Sequence, residues 1–408
     1  MSLILPLRGL RPTANHAAAV AAPPYDVLSG EEARVHAQGR PWSFLHISRP
    51  EIDLPAQTDV YAPQVYAKAA ENLQKMIAAG VLARDALAGY YIYRLTMGQQ
   101  VQTGLVAVAS VAAYDANRIR RHEFTRPDKE DDRVRQIEAL NAQTGPVLLA
   151  YPDAPQADAL LARASAGAPD ADIVAADGIG HTIWTVCDAA LIDAVTVAFD
   201  SMAALYIADG HHRCAAASRV AASRRVAGRL QPSDYFLAVI FPHHQMKIMD
   251  YNRVVKDLNG LNVESFLSRV AERFHVSPAH SAVRPDRPGE IGLYLAGSWY
   301  RLAIDPKLQV SDPVQRLDVS LLTAHLLAPV LGISDLRRDK RIDFVGGIRG
   351  LAELEKRVDS GEMAAAFALH ATSMGDLMAV ADSNQVMPPK STWFEPKLAD
   401  GLVSHVLD

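Results

Sequence analysis

Short runs rich in Val, Ile, Tyr and Phe alternate with stretches of helical spacing along the whole chain, a pattern that predicts a mixed α/β protein. MSLILPLRG opens as a first strand. Ser29-Gly30-Glu31-Glu32 is a capping box, in which the serine hydroxyl accepts from a first-turn N–H and Glu32 reaches back, so a helix starts at residue 30. WSFLHIS (42–48) reads as a strand. Val65, Ala69, Leu73 and Ile77 share one face of a helix that Gly80 ends. Residues 89–114 form a hairpin around Met97-Gly98-Gln99-Gln100. Pro127 and the acids at 128, 130, 131 and 132 suit the positive end of a helix over 127–142. GPVLLAY, DIVAA and HTIWTVC follow as strands, AALIDAVTVAF as a helix, and ALYIAD as a strand feeding a helix over 211–228. YFLAVIF and MKIMDYNRVV are two further strands.

The second part opens with the amphipathic VESFLSRVAERF, followed by a hairpin over Ala296-Gly297-Ser298 and the helix DVSLLTAHLLAPVL; SAVRPDRPG is a loop. The expected organisation is an α/β body over 1–255, a second α/β lobe over 256–386, and a tail over 387–408 that packs back on the body.

Length and composition narrow the classes. A chain of 408 residues, 49% hydrophobic and 21% charged, has the balance of a globular protein with a large core. A formal charge of -5 lacks the basic footprint that phosphate neutralisation requires, which sets nucleic acid aside as the main ligand. Cys187 and Cys214 are the two cysteines and have no CxxC spacing, so neither a disulfide framework nor a zinc ribbon is expected. No run approaches the ~18 apolar residues of a membrane span. The first apolar run has Pro6 inside it and no small-residue cleavage site. A soluble cytoplasmic protein is expected, with a homodimer as the symmetry default.

LYIADGHHRCAAASR (205–219) carries the first candidate chemistry. A glycine between strand and helix lets the backbone turn sharply and lets a ligand approach, and first-turn N–H groups then favour an anion. Arg213 adds a fork of donors suited to phosphate or carboxylate. Neighbouring helical residues point about 100° apart, so His211 and His212 are poorly placed to share one metal and serve better as separate donors; a metal hydrolase built on them is disfavoured. A polar helix cap, with Asp209 on the first-turn amides, is the plain alternative. An anion at a helix N-terminus gains only ~0.3–2 kcal/mol, against at least ~8 kcal/mol of barrier lowering in catalysis. A base and further cations must come from elsewhere.

RHEFTRPDKEDDR (121–133) supplies that inventory with Arg121, His122, Glu123, Thr125, Lys129, Glu130 and Arg133, although a solvated, charge-laced helix start has the same composition. In MPPKSTWFEPKL, Lys390 and two hydroxyls follow two prolines without the glycines of a Walker loop; a structural tail burying Trp393 and Phe394 accounts for the stretch equally. Tyr25 and Asp26 follow two stiffening prolines. His243-His244 reads as a surface pair and Cys214 as a small core residue.

The blocks LRGLRP, PPYDVLSGEEA, SFLHISRPE, RHEFTRPDKEDDR, NAQTGPVLLAY, ADGHHR, YNRVVKDL and MPPKSTWFEPKLADGL resemble, in this order and over nearly the whole chain, the domain-of-unknown-function family 1015. The family brings no settled activity. ADGHHR is also similar to the phosphate-binding motif of the ParB and sulfiredoxin superfamily, which includes free serine kinases. That likeness implies a ParB/sulfiredoxin-like core with large insertions, because here the motif lies beyond residue 200.

The same likeness implies that Gly210, His211, His212 and Arg213 hold nucleotide phosphates, with Asp209 beside the transferring group and Mg²⁺ accompanying ATP or ADP. Glu123, in its His-Glu context with His122, is the expected base, and Asp26 its understudy. Lys129 and Arg133 would neutralise substrate charge, with Tyr25, Asp26 and Lys390 as further substrate contacts. The function expected is phosphoryl transfer between a nucleotide and a small hydroxylated metabolite such as serine. A phosphatase or phospholyase is the close variant, and a nucleotide-sensing regulator without chemistry is the alternative of another class.

Overall fold

Strand and helix alternate in the computed structural model, which describes residues 2–308 and 310–408. Two units result: residues up to 246 together with 396–408, and residues 247–395.

The first unit is built on a nine-stranded sheet. Its strands are β1 (Ile4–Leu5), β2 (Tyr90–Met97), β3 (Gln100–Ser110), β4 (Ile119–Arg120), β5 (Val147–Tyr151), β6 (Ala171–Val174), β7 (Gly180–Val186), β8 (Leu205–Asp209) and β9 (Tyr235–Pro242). They lie in the order β4-β8-β5-β9-β3-β2-β7-β6, with β1 pairing the end of β3. The pairs β4/β8 and β5/β9 are parallel, the others antiparallel. All eight residues of β9 are buried, so its run is continuously apolar where a half-exposed strand would alternate.

Its longer helices are α1 (Gly30–Ala37), α2 (Pro63–Ala78), α3 (Pro127–Leu140), α4 (Pro155–Ala164), α5 (Ala189–Asp200) and α6 (His211–Arg224). Leu161 of α4, Val195 and Phe199 of α5, and Cys214, Ala217 and Ala221 of α6 share one core with Ile92, Leu105, Leu149, Ile207 and Ile240 of the sheet. Small residues on two faces of α6 let it lie close to its neighbours: Ala216 and Val220 meet Ile137 of α3 in a separate cluster. The α2 face of Ala69, Leu73 and Met76 packs with Phe44, Leu45 and Ile47. The last residues close on this unit, where His405–Val406 pairs with Ala142–Gln143 and Ser404 bridges Leu10.

Several expectations shift. WSFLHIS carries a helical turn, Leu45–Ser48, in place of a strand. Phe44, Leu45 and Ile47 are all buried, and a short apolar run bounded by Pro50 fits either state. On the α2 face Met76 is buried where Ile77 was expected. The helix from residue 127 ends at Leu140 because Asn141 takes a left-handed C-cap, φ 47°, and the helix from 211 ends at Arg224.

The second unit holds a six-stranded antiparallel sheet in the order Phe274–Ala279, Ser298–Ile304, Glu290–Leu295, Ala365–Leu369, Tyr251–Val255, Ile342–Gly346. Lys247–Met249 pairs separately with Trp393–Glu395, so the run expected as one strand, MKIMDYNRVV, divides at Asp250. Residues 247–255 therefore belong with the second unit, not with the body, and of the 387–408 stretch only 396–408 returns to the first.

Candidate functional site

Four buried residues, Leu205–Ala208, carry β8 to Asp209. Gly210 then takes φ 103° and ψ 28°, a backbone position that glycine enters without a steric penalty. Its bare Cα also makes room for Arg213, since a Cβ there would stand 2.9 Å from Nε and 3.1 Å from Cζ of the guanidinium. Helix α6 starts at once, and no side chain caps its first turn.

The stretch from 121 to 126 crosses this helix start and is latched to it twice. The backbone N–H of His122 donates to His211 Nε2 at 3.3 Å, and that of Arg126 donates to His212 Nε2 at 3.0 Å. A neutral imidazole accepting at Nε2 carries its proton on Nδ1. His211 therefore presents an Nδ1–H toward Glu123, whose Oε2 lies 3.8 Å away and whose side chain is 45% exposed. Burial first, then the neighbouring His122, hold the His211 pKa well below the ordinary histidine value. The two histidines thus spend their Nε2 atoms on backbone amides, a different use from the separate phosphate donors expected.

His122, expected among the catalytic groups, is 1% exposed, and neither ring nitrogen makes a hydrogen bond of ordinary length among the described residues, the Ile207 backbone exerting only a weak pull. Burial pushes its pKa down to about 4. Its ring stands perpendicular to that of His211 with centroids 4.5 Å apart, so it packs and positions where a ligand-facing group was anticipated.

Asp209, Lys397 and Arg213 form the charged centre. Burial alone would raise the Asp209 carboxyl, but Lys397 Nζ at 3.6 Å and Arg213 Nη2 at 3.7 Å outweigh it and hold the group ionised, well below the usual carboxylate range. Arg213 donates from Nη1 to the Pro146 carbonyl, while its buried Nε has no partner. The guanidinium lines a cavity of about 40 Å³ with Tyr25, Ser48, Arg133, Thr144 and Asp400. That is room for a few waters, and a group the size of a phosphoryl is what such a space suits.

Arg133 lines the same cavity. It lies 3.9 Å above the Tyr25 ring and forks onto Asp132 at 2.6 and 3.0 Å, while Asp132 also accepts from Tyr66 Oη at 2.9 Å. Asp400, 2% exposed, accepts from Ser48 Oγ at 2.6 Å, and burial pushes its pKa up to about 7. Burial likewise pushes Tyr25 up to about 12, so it stays protonated.

The remaining expected residues scatter. Lys129 donates to Tyr61 Oη at 2.9 Å and does not line the cavity. Asp26 is exposed and reaches Arg213 and Asp400 only through its field. Lys390 lies in the second unit with its ammonium 5.7 Å from the Tyr251 ring. Its carbonyl, not its ammonium, is what the fold uses: it accepts at 2.9 Å from the wholly buried Arg253. Sequence reasoning missed Lys397, Asp400 and Ser48. One signal was present, because Ala399-Asp400-Gly401 repeats Ala208-Asp209-Gly210, and both glycines have positive φ.

Similar solved structures include free serine kinase in complex with AMP, 12% identical with a TM-score of 0.38 over 71% of this chain and 86% of that one. A conserved hypothetical protein from Pyrococcus furiosus is 14% identical with a TM-score of 0.37 over 73% and 94%. SbnI with a C-terminal truncation, from Staphylococcus aureus, is 11% identical with a TM-score of 0.37 over 73% and 86%. Likenesses this distant assign no role to any residue. No curated protein matches the chain. The family model described as "Protein of unknown function (DUF1015)" matches residues 4–320, a span that takes in both the Arg121–Arg133 and the Asp209–Arg213 stretches, and the chain belongs to that family.

Proposed function

We propose that the first unit is a phosphotransferase that moves a phosphoryl group between a nucleotide, ATP or ADP, and a small hydroxylated metabolite, serine being the first to test. The observations that carry the reading are that Arg213 and Arg133 line one small cavity and that the buried Nε of Arg213 has no partner among the described residues. A buried donor without a partner costs ~1–3 kcal/mol, more when charged, and a phosphate oxygen repays that cost with a charge-assisted bond. The uncapped first turn of α6 adds amides of the same polarity.

In this reading Arg213 and Arg133 hold the phosphoryl group, and the nucleoside lies outside the cavity. Glu123 takes the hydroxyl proton, oriented by His211 Nδ1–H, and its exposure leaves it open to a substrate. Asp209 would be the residue to hold a Mg²⁺ that accompanies the nucleotide, because it is held ionised, is about one-third exposed and offers hard oxygens, one of which Lys397 and Arg213 already face. When bound, such an ion neutralises phosphate charge.

The test is Glu123→Gln in the full chain. The expected result is product formation from nucleotide and serine lowered about 10²–10⁴-fold, with nucleotide affinity in calorimetry unchanged. Nucleotide binding without turnover by the wild type, across a panel of small alcohols, would overturn the proposal in favour of a sensor.

A further inference from the structure

We infer that Asp153, His243 and His244 form a binding site for a first-row divalent transition metal ion, with zinc as its natural probe. Strands β5 and β9 run parallel in a register that sets Pro242 beside Tyr151. The chain therefore leaves both strands at the same end of the sheet, with Asp153 two residues beyond Tyr151 and His243 one beyond Pro242. Ligands gather at such carboxyl ends because side chains of diverging loops converge there.

The geometry fits metal coordination better than an ion pair. Nδ1 of His243 and Nδ1 of His244 each lie 3.8 Å from the same oxygen, Asp153 Oδ1, too far for a hydrogen bond. The three ligand atoms all fall within 4.8 Å of one another. Zn–N and Zn–O bonds of about 2.0–2.2 Å set tetrahedral ligands about 3.4 Å apart, so small side-chain rotations close the set. His243 Nδ1 is buried and has no hydrogen-bond partner, and a metal would satisfy it.

Adjacent histidines diverge on an α-helix. These two sit on a short 3₁₀ turn, His243–Gln245, with rings at 90°, and it is the approach of both Nδ1 atoms to Asp153 Oδ1, not the backbone period, that brings them to one point. Two imidazoles and one carboxylate select zinc and its neighbours over magnesium or calcium, and three protein ligands leave a coordination position open. The inference is independent of the phosphotransferase reading. Asp209 pairs with Leu148 near the start of β5, whereas Asp153 follows its end, about 17 Å along the strand.

The experiment is calorimetric titration of chelator-stripped full-length protein with zinc chloride, with cobalt absorption bands as a spectroscopic check. The expected result is one ion per chain, bound at least about 10-fold more weakly by Asp153→Ala and by His244→Ala, since even outer-shell changes cost that much. Both side chains are substantially exposed, 82% and 47%, so the variants keep the fold, which circular dichroism verifies. Absence of stoichiometric binding, or binding unaltered in both variants, would overturn the assignment.

Discussion

Gly210→Ala separates the two tasks assigned to the turn at the start of α6. With φ at 103°, an L-residue enters a sparsely populated region, at a strain of about 1–3 kcal/mol that no neighbour can relieve. The new Cβ would also stand 2.9 Å from Arg213 Nε and 3.1 Å from Cζ. That clash is relieved by swinging the guanidinium away, which breaks its bond to the Pro146 carbonyl and loosens its pairing with Asp209, adds to the backbone strain, and removes the donor from its cavity. The variant should therefore lose at least about 1–3 kcal/mol in urea unfolding and, separately, lose affinity for phosphate and nucleotide in calorimetry. Gly145→Ala is the control: its Cβ would meet Arg213 Cδ and Asp400 Oδ1 at 3.6 Å, ordinary contact, and its φ is not positive, so its stability should stay within about 0.5 kcal/mol of wild type. A Gly210→Ala protein as stable as the control refutes the backbone argument. One that is destabilised but binds phosphate as the wild type does refutes the role of Arg213.

The Asp400 carboxyl, pushed up to about 7 by burial from about 3.9 in the unfolded chain, binds the extra proton in the native state. It therefore favours folding below pH 4, and that contribution fades as the pH rises to 7. Asp400→Asn should lack this decline, and parallel urea titrations at pH 4, 5.5, 7 and 8 would show it as a widening difference between wild type and variant up to pH 7. Long-range ¹H–¹⁵N spectra should find His211 and His212 as Nδ1–H tautomers at pH 7, and His122, depressed to about 4, without a titration step between pH 8 and 5.5. Thiol titration should modify the exposed Cys187 quickly and leave Cys214, wholly buried and with its thiol pKa pushed up by burial, unreacted until unfolding.

Local signals were readable where a few consecutive residues decide the outcome. The capping box forms with both bonds, Glu32 N–H to Ser29 Oγ at 3.2 Å and Ser29 N–H to Glu32 Oε2 at 2.7 Å. Pro127 opens its helix, and the turn at Asp209-Gly210 sits where strand gives way to helix. WSFLHIS was not readable, because its state is decided by what packs on Phe44 and Ile47 and not by its own period. Half of the cavity wall was hidden for a related reason. Asp400 and Ser48 are joined across 352 residues, and local pattern holds no trace of that closure. Gly401 did leave a mark, since its φ of 89° and the Phe44 ring, 2.6 Å from any added Cβ, demand glycine.

The two guanidiniums that line the cavity differ in how fully the fold answers their donors. Arg133 has two short bonds to Asp132 and an aromatic face beneath it, so its donors are largely answered within the fold. Arg213 has its ion-pair acid, Asp209, 3.7 Å off and shared with Lys397, and its buried Nε has no hydrogen-bond partner among the described residues. A buried ion pair kept for architecture alone is stable only when its geometry is tight and its remaining donors are filled. The loose pairing at Arg213 therefore leaves a cost standing in the free protein, and Gly210, which alone admits the guanidinium at that distance, holds it in place. In the proposed function, an oxyanion held beside Arg133 would offset that cost, the role that preorganised donors play at an anion seat.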